Sequence, residues 1–336
     1  MISNLLRRAT AARATSLPTS TRLSLALQGG GAFGAFTWGM LDRILEEPAI
    51  DFDAVSGASA GAVNGVLVAH GLRVGGREGA REALERFWTA LGRDAASSFF
   101  RASSRSGLAL DLSTRLLSPY QLNPFNLNPL RELLLAHVDF DALRAEPTTR
   151  LLISATRVAD GSSRIFREDE VSVDVVLASA CLPMLHQAVT IDGESYWDGG
   201  YAANPPLLPL VEAAKSSRIL LVQIVPTSGD DRPTTSPGIV KRISQITFNA
   251  ALQHELEAIS ALQRLSAEET VRSEAARRIQ ALTIDHVSAE DWYPDLSRRS
   301  AADLDRSFLT DLHQAGRKAA SAWLGEDGSR HAKAAG

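Results

Sequence analysis

Twice within the first 70 residues a short apolar run stops at a turn of small residues and passes directly into a helical pattern. Residues 23–27, LSLAL, lead into Gly29-Gly30-Gly31-Ala32-Phe33-Gly34, and a helix is expected over 32–46, closed by Pro48. Residues 51–57, DFDAVSG, lead into Gly57-Ala58-Ser59-Ala60-Gly61 and a second helix over 60–70. Strand, helix, strand, helix at this spacing leaves few folds open. Strands joined through a helix lie parallel, and a parallel sheet needs helices on its faces. The expected class is α/β, a mostly parallel central sheet flanked by helices.

The rest of the chain continues the pattern. Residues 78–91 place Ala80, Leu84, Phe87, Trp88 and Leu91 on one helical face. Strands are expected at 150–156 and 164–167, a helix at 171–180, and a hairpin from 188–191 and 195–197 around Asp192-Gly193. The strongest buried strand is SRILLVQIV at 217–225, followed by a loop at 226–238. Beyond it the chain reads as mainly helical over 237–325, with a late strand at 279–285. Residues 92–128 have weak periodicity but many apolar side chains, which suits a mobile lid or a packed insertion. The domain organisation is a basic, disordered tail at 1–22, one domain at 23–325 and a short tail at 326–336.

Charge and cysteine content narrow the function. Among 336 residues, 35 Lys and Arg face 39 Asp and Glu, so a generally basic nucleic-acid binder is excluded. The single cysteine, Cys181, cannot form an internal disulfide, which fits a reducing compartment or a protein with no need of bridges. It reads as core, as do Trp38, Trp88, Trp197 and Trp323. The uncharged stretches 23–41 and 54–72 are too rich in glycine and polar residues for spanning helices. Residues 1–22 hold Arg7, Arg8, Arg13 and Arg22 with no acid and lack the apolar core of a secretory signal. With Leu5 and Leu6, they could alternatively touch an anionic membrane surface. The expectation is a cytoplasmic protein with peripheral membrane contact.

Three motifs carry chemistry. The 29–34 loop joins a strand to a helix, so its N–H groups and the helix N-terminus can hold a phosphate or an oxyanion. Gly57-Ala58-Ser59-Ala60-Gly61 is a G-x-S-x-G turn that projects the Ser59 hydroxyl, with the Ala60 N–H at the helix start. Asp198-Gly199-Gly200 is an acid on a backbone that another loop can approach closely. Neighbouring parallel strands put their carboxyl ends on one edge. The first two loops can therefore meet there, the geometry of acyl transfer.

Together these motifs resemble the patatin-like phospholipases, serine lipid acyl hydrolases. LALQGGGAFGAFTWGMLDRIL resembles the family's glycine-rich opening, VSGASAGAVNG its nucleophile elbow and YWDGGYAANPP its Asp-Gly-Gly segment. LASACLPMLHQAVTIDG resembles the stretch leading into the last of these, so the resemblance covers about 23–225. It implies a three-layer sandwich and a Ser-Asp dyad, with Ser59 as nucleophile and Asp198 as general base. It also implies an oxyanion hole drawn from Gly29, Gly30, Gly31 and Ala60, with Gly34, Gly57, Gly61, Gly199 and Gly200 in support. No metal or cofactor is called for, and the partner is an acyl lipid substrate. The family usually carries Arg or Lys where this chain has Phe33.

Other readings remain open from the residues. A Ser-His-Asp triad in α/β-hydrolase order would use Ser59, Asp198 and either His286 or His313. A nicotinamide enzyme would use the glycine loop with Asp51 or Asp53 on a ribose. A catalytically silent lipid-binding module could use the same scaffold.

Overall fold

The computed structural model describes residues 21–94, 118–268 and 273–334. The N-terminal segment through residue 20 and the 95–117 part of the expected lid lie outside them. Eight strands form one sheet: β1 (Thr21–Leu27), β2 (Ile50–Gly57), β3 (Arg150–Arg157), β4 (Ser163–Arg167), β5 (Val189–Ile191), β6 (Glu194–Asp198), β7 (Arg218–Gln223) and β8 (Thr283–Ser288). Their order is β5-β6-β3-β2-β1-β7-β8, with β4 on β3. The pairs among β3, β2, β1, β7 and β8 are parallel, whereas β4 and β6 run antiparallel to β3.

Side-chain alternation divides the core into two layers. Leu25 and Leu27 of β1, Val55 of β2 and Leu220 and Val222 of β7 face one way. Ala26, Ala54, Ile219 and Leu221 face the other. The first layer is closed by α1 (Gly34–Ile44), α2 (Ala60–Asp94), α4 (Pro129–His137), α6 (Val173–Ser179) and α10 (Arg306–Ala334). The second is closed by α7 (Leu207–Ala213) and α8 (Ser236–Glu268). Both faces of a parallel sheet are thus buried, giving the expected three layers. Short helices α3 (Pro119–Leu122) and α5 (Phe140–Ala145), with α9 (Glu274–Ala281), complete the described elements.

Several boundaries move from their sequence positions. β1 begins at Thr21, two residues inside the segment read as a tail. A 3-10 turn at Gly31–Phe33 precedes α1, so the α-helix starts at Gly34 rather than 32. The helices expected at 60–70 and 78–91 are two arms of α2, interrupted by non-helical backbone at Gly75 and Gly76. The late strand begins at Thr283, because α9 occupies residues through Ala281. The Asp192-Gly193 hairpin is present, with φ of 51° and 83° at its two turn residues, as a two-residue turn between twisted strands requires. Gly39 of α1 and Gly316 of α10 let those helices touch. A Cβ at Gly39 would stand 1.9 Å from the His313 carbonyl oxygen, and one at Gly316 2.1 Å from that of Phe36.

Candidate active site

The parallel strands end at one edge of the sheet, where the three motifs converge. β2 stops at Gly57 and α2 starts at Ala60, so the chain reverses in two residues. Ser59 takes φ 51°, the left-handed region that non-glycine residues avoid. Its backbone is held on both sides: the Ser59 N–H donates to Ser179 Oγ at 2.9 Å, and its carbonyl accepts from Val63 N–H at 3.0 Å. Gly61 cannot carry a side chain here, since its Cβ would lie 2.0 Å from the Leu27 carbonyl oxygen. A Cβ at Gly57 would likewise meet Gly61, at 2.5 Å.

The glycine loop packs directly on this turn. A Cβ at Gly29 would be 2.6 Å from the Ala58 carbonyl oxygen and 2.8 Å from Ser59 Cβ. A Cβ at Gly34 would be 2.7 Å from Ala60 Cβ, so the starts of α1 and α2 also meet. The loop is pinned by Asn204, which is fully buried. Its Oδ1 accepts the Gly29 N–H at 2.7 Å, and its Nδ2 donates to the carbonyls of Gly29 (3.3 Å) and Phe248 (3.0 Å). Gln28 Oε1 accepts two further N–H groups, from Ile224 and Val225, each at 2.8 Å. Gly31 has φ +58°, and the Ala32 N–H is taken by the Ala301 carbonyl at 2.7 Å. The N–H groups of Gly30, Gly31 and Ala60 have no backbone acceptor among the described residues. Gly29, expected among the oxyanion donors, has its N–H committed to Asn204 instead. The remaining three stand at helix starts, where backbone N–H groups concentrate positive partial charge.

Strand register explains how Asp198 reaches this point. β2 pairs with residues 150–153 of β3, and β6 pairs with residues 155–157. β4 occupies residues 152–156 of β3, so it must lie on the opposite side from both. β6 therefore fills the edge of β3 immediately beyond the end of β2, with Asp198 opposite Ala155. The backbone of Asp198 is fixed by its N–H to the Cys181 carbonyl (2.8 Å) and by Thr156 Oγ1 donating to its carbonyl (2.8 Å). Gly199 packs on Ser154, whose Oγ donates to the Ala203 carbonyl at 2.8 Å, and Gly200 packs on the Phe248 ring.

The Asp198 carboxyl is fully buried. Oδ1 accepts the Gly200 N–H at 2.7 Å, and Oδ2 has no hydrogen-bond partner among the described residues. Burial pushes its pKa up to about 7, against the smaller lowering effects of the Gly200 N–H and the Ser59 hydroxyl. The hydroxyl is thus close enough to act on the carboxyl's ionisation but is not in regular hydrogen-bond geometry with Oδ2. Apo sites often hold such pairs loosely until substrate tightens them. Tyr201 stands nearby, its phenol raised to about 12 by burial and by the charges of Asp198 and Cys181.

The other sequence readings do not assemble here. His286 Nε2 lies 2.7 Å from Gln223 Oε1, and His313 Nε2 lies 3.2 Å from Asp42 Oδ2. Neither is bonded to Asp198. Asp51 and Asp53 are at the start of β2, the opposite edge of the sheet; Asp51 pairs with Arg77, and Asp53 with Arg150 and the Lys215 and Ser216 N–H groups. Cys181 is buried, its thiol raised to about 12 by desolvation. Phe33 points away into the core, edge-on to Phe308 at 6.3 Å. Among the described residues no group of His, Cys, Asp and Glu is placed to hold a metal ion. Nor is any described helix long and apolar enough to cross a membrane.

Asn204, Ser179, Gln28 and Thr156 were missed by sequence reasoning. Only Asn204 had a local signal, its place in Asn-Pro-Pro just after Asp-Gly-Gly. Comparison with protein families matches residues 25–211, which span all three motifs, to the model described as patatin-like phospholipase. Comparison with curated proteins gives no match. Among solved structures the chain is similar to VipD from Legionella pneumophila, at 15% identity and a TM-score of 0.48, over 92% of this chain and 67% of that one.

Proposed function

The chain belongs to the patatin-like phospholipase family, and from that premise we propose that it hydrolyses carboxylic esters of phospholipids or related acyl lipids through Ser59 and Asp198. The observation that carries this reading is a serine in left-handed backbone conformation close to a buried carboxyl whose second oxygen has no hydrogen-bond partner among the described residues.

Ser59 Oγ attacks the ester carbonyl while Asp198 takes its proton. The carbonyl oxygen, now an anion, lies against the N–H groups of Gly30, Gly31 and Ala60. Each such donor typically lowers the barrier by about 3–4 kcal/mol. The tetrahedral intermediate collapses, protonated Asp198 gives its proton to the leaving alcohol, and the acyl group remains on Ser59. Water then attacks the acyl-enzyme, again losing its proton to Asp198, and the free acid departs with Ser59 restored. A carboxyl with pKa about 7 is suited to both halves at neutral pH, because it is populated as base and as acid. The cleavage is of phospholipase A or lysophospholipase type.

The test is intact mass after exposure to a long-chain fluorophosphonate. One adduct is expected on the wild type, mapping to Ser59, absent in Ser59→Ala and slowed in Asp198→Asn. A folded wild type that forms no adduct in water or on lipid vesicles would instead favour the silent lipid-binding reading.

A further inference from the structure

The inward face of the first turns of α8 is already packed, with Gln245, Phe248 and Leu252 buried. The outward face of such a helix should be polar. Instead Ile239, Val240, Ile243 and Ile246 are 42%, 56%, 58% and 55% exposed and form one stripe. On the opposite face of the sheet a second apolar group is exposed: Phe125 at 85%, Leu127 at 62% and Met184 at 57%. The two segments that carry it, 118–128 and 182–188, are tied together by Gln187 Nε2 to the Asn123 carbonyl (2.7 Å) and Ala188 N–H to Tyr120 Oη (3.2 Å).

Both groups border the candidate active site. Phe248, on the inward face of the helix that carries the stripe, packs on Gly200 and meets Tyr201 edge-on at 5.1 Å. Cys181, just before the 182–188 segment, accepts the Asp198 N–H. The apolar surface thus flanks Ser59 from both sides of the sheet at a single edge. Apolar surface of this kind, left exposed and rimmed by polar residues, marks an interaction site.

Charge favours a lipid surface as the occupant. Residues 118–128, 182–188 and 236–247 contain no Asp or Glu; Lys241 and Arg242 are their only fixed charges. His186 is their one histidine, and burial lowers its pKa. The acids nearest these segments lie outside them: Asp230 and Asp231 on the preceding loop beside Arg232, and Glu290, whose carboxylate is occupied by Thr227 and Ser228 of that loop. Isoleucine and valine on the free face of a helix, with cations beside them and no acid, is the composition of a helix that lies in a membrane interface.

We propose that this edge is a membrane-docking surface, in which the outward stripe of α8 and the 118–128 and 182–188 segments enter the headgroup layer and present Ser59 to a lipid still held in the bilayer. The proposal rests on the hydrolase reading above and names where that enzyme meets its substrate.

The test uses the full-length chain and vesicles of phosphatidylcholine, with and without phosphatidylglycerol. The Ser59→Ala chain should float with the vesicles, more so when the anionic lipid is present. Adding Ile243→Asp and Ile246→Asp should weaken flotation about tenfold or more, since a buried charge is costly. The same two substitutions with Ser59 intact should leave labelling by a short, water-soluble fluorophosphonate unchanged, showing that fold and site survive. Unchanged flotation overturns the docking surface and leaves the hydrolase reading standing. Loss of a dimer on sedimentation, with flotation unchanged, assigns the stripe to a second copy of the chain and also overturns it. A wild type that floats but is never labelled overturns the hydrolase reading instead.

Discussion

Asp42 and Asp198 are two carboxylates removed from solvent in one molecule, and they are treated in opposite ways. Asp42, on α1, accepts from Arg81 Nε at 2.8 Å, from Arg317, and from His313 Nε2 at 3.2 Å. Those hydrogen bonds outweigh desolvation and hold its pKa far below the ordinary carboxylate range. Arg81 and Arg317 also reach Glu46, so the cluster ties α1, α2 and α10 together. Asp198 is more deeply buried, yet it accepts from one backbone N–H and pairs with no cation among the described residues, and burial moves its pKa up. A buried charge surrounded by partners is fixed in one ionisation state and can only support the fold. A buried carboxyl left short of partners can gain and lose a proton near neutrality, which a base in catalysis must do.

The sharpest way to break this contrast is Asp198→Asn. Activity on a soluble ester should fall about 10²–10⁴-fold, as read by kcat with the protein concentration fixed. Stability should move the other way. The raised pKa means that the contribution of Asp198 is fully present below its unfolded value of 3.8 and is lost as pH rises through about 7. The asparagine variant should therefore melt higher than wild type at pH 8 and show little gain at pH 4. A lower melting temperature at pH 8 would contradict the idea of an uncompensated buried charge.

The pH profile of the wild type comes next. With Asp198 acting as base, kcat/KM should rise roughly tenfold per pH unit below about 7 and level off above it. A profile flat from pH 5 to 8 would remove Asp198 from the base role.

Asp42→Asn should destabilise by about 2 kcal/mol, because Arg81 and Arg317 each lose one of their carboxylate partners, while activity per folded molecule stays near wild type. The lowered pKa of Asp42 means that its stabilisation is present above 3.8 and lost as pH falls below that value. Chemical denaturation at pH 7 and pH 3 measures both points; the gap between wild type and variant should narrow at the lower pH without closing, because the folded carboxyl is still ionised there.

Smaller effects distinguish placement from chemistry. Asn204→Ala removes two hydrogen bonds that hold Gly29 and a third to the Phe248 carbonyl of α8, and should lower kcat about tenfold with KM little changed. His286→Ala should change kcat by less than about threefold, as its ring contacts Gln223 rather than Asp198. Loss of most activity in His286→Ala would restore the triad.

The three motifs were legible because unusual backbone demands unusual residues. Ser59 at positive φ requires small neighbours, and Gly61 against Leu27 tolerates no side chain; both leave a mark in sequence. The buried strands were legible for a related reason, since a strand covered on both faces becomes an unbroken apolar run such as ILLV in β7. The supporting polar residues were not. Asn204 and Gly29 are 175 positions apart, and Ser179 and Ser59 are 120 apart. A serine or asparagine that bonds distant backbone looks like any other in a linear reading. The role of Phe33 was equally hidden, because its partner Phe308 lies at the far end of the chain in α10. The Gly29 N–H was expected to face the reaction and instead anchors the loop, a choice made by a side chain the glycine motif does not contain.

The shared border of β3 gives the site a built-in ruler. The proposed nucleophile and base mark the ends of two strands that abut on one neighbour: β2 finishes opposite Ile153, and β6 finishes opposite Ala155. Their spacing is metered by pleat units of about 3.3 Å rather than by the packing of the two side chains. Inserting or deleting one residue in either strand would shift the gap by a full unit and turn every following side chain to the other face. Length in these two strands is therefore as tightly constrained as the identity of the residues at and just beyond their ends.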